Sequence, residues 1–152
     1  MLRKKELGHM NGNAELLNFV YQNSQMGIET LPKLLETVEG GEELKTHMKK
    51  QLEGYEKFHE EAKNMLNENG YDEKGIGAFE KLRTYLMMNL QTLTDKTASH
   101  IAEMLFIGSN MGIVDAIKNT RKYQGAEKQI LNLMDRLRIF EEENARKLKA
   151  FI

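Results

Sequence analysis

Three long stretches of this chain carry apolar residues spaced three and four apart, and that spacing constrains the fold more than any other feature. From Asn13 onward, Leu17, Val20, Tyr21, Ser24, Ile28, Leu31 and Leu35 fall on one stripe, which a helix with a single buried face requires. Leu44, Met48, Leu52, Tyr55, His59, Ala62 and Leu66 repeat the pattern, as do Ile130, Leu133, Met134, Leu137, Phe140, Glu141, Asn144 and Leu148. The spacing predicts helices over about 13–38, 42–69, 98–122 and from Gly125 to the end, with a shorter one over about 79–93. The fold class expected is all-α. Gly40-Gly41 and "NENGYDEKGIG" (67–77) supply the stops, and Pro32, inside the first helix, is expected to kink it.

The connections set the expected topology. First to second helix and third to fourth are tight turns, whereas the second reaches the third through nearly 30 residues that contain the short helix. Four rods of about 38 Å, at 1.5 Å per residue, can therefore form an antiparallel four-helix bundle with one long, helix-containing crossover between its second and third helices. One domain over 13–152 follows, made of two helical hairpins (about 13–69 and 98–152) behind an N-terminal extension, residues 1–12.

Composition narrows the function classes. The chain has no cysteine, which removes disulfides, zinc-thiolate sites, iron-sulfur clusters and a thiol nucleophile, so a metal would need oxygen and imidazole ligands. Lys and Arg (22) nearly balance Asp and Glu (23), and the signs are interspersed, so nucleic acid is not an expected partner. The basic start has no apolar run behind it and nothing approaches the roughly 20 apolar residues of a membrane span, so no membrane partner and a cytoplasmic location are expected. No Ser/His/Asp arrangement, glycine-rich phosphate loop or basic aromatic platform can be read.

The two hairpins resemble each other. "NSQMGIE" (23–29) has a near copy in "GSNMGIV" (108–114), an offset of 85 residues that also places Gly40 on Gly125, Tyr55 on Phe140, Glu56 on Glu141 and His59 on Asn144. With the crossover, this arrangement resembles the ferritin-like superfamily, which includes rubrerythrins and bacterioferritins. Its di-metal members take a Glu from each of two helices and a Glu-x-x-His from each of the other two.

Glu56-Lys57-Phe58-His59 matches that motif, and Glu141 with Asn144 stands at its counterpart, with an amide in place of the imidazole. The level positions on the first and third bundle helices fall near Gln25 and Asn110, with Glu29 and Asp115 about a turn away. The resemblance therefore implies a metal set of Glu56, His59, Glu141, Asn144, Gln25 and Asn110, for iron or manganese ahead of zinc, or a centre that is lost altogether. It leaves two expectations: a ferritin-like structural or interaction bundle with a reduced or lost di-metal centre, or a metal-binding redox protein on a partial Glu-x-x-His site. Enzymatic activity stays open between them. A homodimer or higher homo-oligomer is expected, with the crossover face of Leu82, Leu86, Leu90 and Leu93 either making the contact or packing on its own bundle.

Overall fold

The computed structural model describes residues 11–73 and 80–152. Among them the chain is all-α: α1 (Asn13–Thr37), α2 (Glu42–Glu68), α3 (Glu80–Gln91), α4 (Ala98–Lys122) and α5 (Lys128–Leu148), with a 3-10 turn at Lys149–Phe151 and no strand. The expected N-terminal extension, apart from Asn11 and Gly12, and part of the stop after α2 lie outside the described residues.

Local chemistry explains the boundaries. Gly40 and Gly41 both take φ of 67°, a left-handed backbone that suits glycine, and this reverses the chain between α1 and α2. The Thr97 side chain accepts from His100 N at 3.3 Å and so caps the start of α4. Helix α1 continues through Pro32 to Thr37.

The helices form two hairpins, α1 with α2 and α4 with α5, packed face to face. Side-chain pairs fix the directions. On α2 and α5, Tyr55 meets Glu141 and Glu61 meets Arg136, so these two helices run antiparallel. The start of α4 lies at the end of α1, where Glu39 N donates to Lys96 O at 2.9 Å. The chain just after α2 lies at the other end, where Asn18 Nδ2 donates to Asp72 O at 3.0 Å. Helix α3 packs on α4 and α1 and buries Leu82 and Leu86 within this chain. Leu90 and Leu93, the other two leucines of that face, are half-buried.

One expectation needs correction. Helix α1 buries more than one stripe: besides Leu17, Val20, Ser24 and Leu31, it buries Leu16, Phe19, Asn23, Met26, Thr30 and Leu34. The reason is its position, because α1 touches α2, α3, α4 and α5 and has neighbours on most sides.

The apolar core is divided. One half gathers Leu16, Val20, Leu66, Ile130 and Leu133; the other gathers Leu34, Leu44, Met48, Ile101, Met104 and Leu148. Buried polar residues lie at or beside the break: Thr30 on α1, Ser109 on α4 and Glu141 and Asn144 on α5 occupy it, while Asn23 on α1 and Gln51 on α2 are buried a turn or so to either side of it.

Candidate functional site

The polar layer is organised around Glu141. Its carboxylate accepts from the Tyr55 hydroxyl at 2.6 Å and from the Ser109 hydroxyl, while the Gln51 amide donates to the Tyr55 oxygen. A relay of four side chains thus joins α2, α4 and α5. Close backbone packing makes it possible: a Cβ at Gly27 would come within 2.6 Å of three Tyr55 ring atoms, so the glycine on α1 lets that ring pack against the helix and reach Glu141. The Phe140 ring meets Tyr55 edge-on, with centroids 5.1 Å apart, and fixes its other side.

Among the described residues the carboxyl group has no cationic partner. Arg136 binds Glu61 through two bonds of 2.6 and 3.1 Å, and Arg138 binds Asp135 and Glu142, so both arginines that flank Glu141 in sequence are engaged elsewhere. Glu141 is only 2% exposed, and burial raises its pKa from 4.5 to about 7 even though the Tyr55 and Ser109 hydrogen bonds pull the other way. Burial and the nearby carboxylate push the Tyr55 hydroxyl well above its ordinary value. The group able to exchange a proton near neutrality is therefore Glu141.

Beside this relay lies a cavity of about 40 Å³. Asn23, Thr30, Gln51, Tyr55, Ser109 and Glu141 form its polar wall, and Met26, Leu31 and Leu105 with Leu82 and Leu86 of α3 form its apolar wall. Asn23 Oδ1, Thr30 Oγ1 and Gln51 Oε1 are buried without a hydrogen-bond partner from the protein. A buried polar atom left unmet costs about 1–3 kcal/mol, so these two amide oxygens and one hydroxyl call for partners inside the cavity, from ordered water or from a ligand.

The residues singled out by the di-metal resemblance do not converge. Glu56 is exposed on α2. His59 is half-buried, stacks on Tyr21 with ring centroids 4.4 Å apart, and places Nδ1 3.3 Å from Ser24 Oγ. Gln25 is half-buried and donates to Glu29 at 3.0 Å, and Asn110 is exposed and donates to the Phe106 carbonyl. Asn144 is buried with Nδ2 unpartnered, but it does not line the cavity. The expected register is thus displaced on two helices: Asn23, not Gln25, and Ser109, not Asn110, face the cavity that Glu141 lines. A shift of one or two residues turns a side chain by about 100° or 200° around a helix, which is enough to exchange inside for outside.

The donor set also does not suit the implied metals. Among the described residues Glu141 is the single carboxylate on the cavity, with amides and hydroxyls for company and no imidazole. Among the described residues no group of three His, Asp or Glu side chains could hold a metal ion. A di-iron or di-manganese centre needs several carboxylates and imidazoles on one ion pair, and the residues present do not fit it.

Sequence reasoning missed Asn23, Thr30 and Gln51 as site residues and read Tyr55 and Ser109 only as core and repeat positions. A signal for the first two existed: Leu16, Phe19, Asn23, Met26, Thr30 and Leu34 form a second stripe at helical spacing on α1. Comparison with known protein families, with curated proteins and with solved structures finds no match for this chain.

Proposed function

We propose that this chain is a small-molecule-binding helical protein on a ferritin-like frame, with a polar cavity at Glu141 where di-metal relatives of such a frame would keep their centre. The observation that carries this reading is the convergence on one cavity of three buried oxygens without a protein partner and a carboxyl without a counter-ion among the described residues. Buried polar groups are ordinarily met by the protein or by ordered water, and a ligand that binds here would take the place of such water.

The ferritin-like part rests on connectivity. Residue 72 lies beside the start of α1 and residue 96 beside its end, so the chain between them passes from one end of α1 to the other, as a long crossover would. Support also comes from the repeat, since Tyr55 and Phe140, equivalent under the 85-residue offset, touch one another as residues near a pseudo-twofold axis do. Self-association belongs to the same part of the proposal and is read by light scattering.

The test of the binding reading is a solution NMR screen of the full chain. Probes of two or three heavy atoms (ethanol, acetamide, acetate, ethylammonium) are added in turn, and the backbone amides of Gly27, Ser109 and Glu141 are followed. Saturable shifts with any one probe support it; none with all four overturns it. Elemental analysis beside the screen addresses metals, and near-stoichiometric iron or manganese per chain would restore the redox reading.

A further inference from the structure

We infer that the ligand of this cavity is a small primary ammonium, an aliphatic amine with one or two carbons, held by Glu141, Asn23, Gln51 and Thr30. The inference rests on the reading of the cavity as a ligand site and adds the chemical class.

Hydrogen-bond polarity decides first. The atoms in want of partners are Asn23 Oδ1, Thr30 Oγ1 and Gln51 Oε1, and the Glu141 carboxylate, with about four lone-pair positions, receives two donors from the protein. The cavity is rich in acceptors. A primary ammonium is a pure donor with three N–H bonds and meets such a wall without leaving an acceptor of its own unsatisfied. A carboxylate or phosphate would set oxygen against oxygen and a second negative charge beside Glu141. An alcohol brings one donor and a primary amide two, so each leaves acceptors unmet.

Charge decides next. Among the described residues Glu141 is the one carboxylate on the cavity and no Lys, Arg or His lines it, so a monocation brings the site to neutrality. A divalent ion would leave it with a net positive charge in a poorly solvated interior, and Ca²⁺ in addition asks for six to eight oxygens.

Shape separates an alkylammonium from a bare ion. Across from the polar wall stand Met26, Leu31, Leu82, Leu86 and Leu105, against which a bare cation makes no favourable contact and an alkyl group does. A cavity of about 40 Å³ has room for about three water-sized bodies, which matches methylammonium or ethylammonium.

The experiment titrates the ¹⁵N-labelled full chain at pH 8 with methylammonium or ethylammonium chloride, beside potassium chloride at equal ionic strength, ethanol and acetate. Saturable shifts at Gly27, Ser109 and Glu141 with the two ammonium salts are expected, with affinity at least tenfold weaker for the other solutes. Glu141→Gln should weaken ammonium binding at least tenfold. If that variant does not fold, two milder changes carry the test. Thr30→Val keeps the shape and removes one acceptor, for an expected loss of about threefold. In Gly108→Ala the new Cβ comes 3.6 Å from Leu82 and Leu86, ordinary contact distance, and narrows the apolar side, so ethylammonium should suffer more than methylammonium. Binding of ethanol or acetate in place of ammonium overturns the amine assignment and leaves the ligand site standing. Potassium binding as tight as methylammonium assigns a bare cation instead, and silence from every solute overturns both the class and the site.

Discussion

The Tyr55 hydroxyl donates to Glu141 Oε1 at 2.6 Å across 86 residues of sequence, and both side chains are buried where the two helical hairpins meet. This bond ties the first hairpin to the second at mid-length and places the one cavity carboxyl of the polar layer between a phenol and a serine hydroxyl.

Stability should fall as pH rises through the neutral range. The Glu141 pKa is about 7 in the folded chain against 4.5 for the ordinary carboxyl, so between those values the folded state holds a proton that the unfolded state has released. Its contribution is fully present below pH 4.5 and is lost by the time pH passes 7. At 1.36 kcal/mol per unit the loss is on the order of 3 kcal/mol. Urea denaturation of wild type and Glu141→Gln from pH 5 to 8 checks this, because the difference between the two curves should follow that slope; a constant difference would contradict it.

Tyr55→Phe should cost about 1.5–3 kcal/mol at pH 8, where Glu141 is charged, and about 1 kcal/mol at pH 5, where the carboxyl is neutral. The ring that packs over Gly27 is kept, so the loss reports the hydroxyl. With one donor gone, the Glu141 pKa should rise further, which ¹³C NMR of its carboxyl carbon would register. An unchanged titration would show that the 2.6 Å bond does not govern the group.

The same substitution at two helical glycines should have opposite signs. Gly27→Ala places a methyl group within 2.6 Å of three Tyr55 ring atoms, and overpacking of that kind costs about 1–3 kcal/mol. At Gly108 the added methyl meets Leu82 and Leu86 at 3.6 Å, a normal contact, so helix propensity should prevail and stabilise by up to about 1 kcal/mol. Thermal denaturation of both variants decides the matter.

His59→Ala should remove a stacked ring and a contact to Ser24 Oγ, for a loss of about 1 kcal/mol, and leave the metal content per chain as in wild type. Elemental analysis together with urea denaturation tests both halves. A metal present in wild type and absent from the variant would return His59 to the role that Glu56-x-x-His59 suggests by sequence.

Much of the frame was legible because its causes are local. Apolar residues three and four apart, Gly40-Gly41 with its left-handed backbone, and Thr97 at the start of α4 act within a few residues of themselves, and the helices lie within a few residues of where those signals put them. The site was legible only in fragments. Glu141 and Ser109 stood out by position in the repeat, yet the repeat also equated exposed Glu56 with buried Glu141.

By itself the sequence determined an all-α chain, the lengths and order of its helices, and the exclusion of thiolate chemistry, since each follows from spacing, turn residues or composition. Tertiary structure alone decided that α1 is packed on most sides, that Asn23 and Ser109 rather than Gln25 and Asn110 face the cavity, and that Glu141 meets no cation among the described residues. Those facts depend on how each helix is rotated about its axis against neighbours distant in sequence. Rotation follows from the packing of all the helices together, as when the Tyr55 ring settles over Gly27 and thereby reaches Glu141.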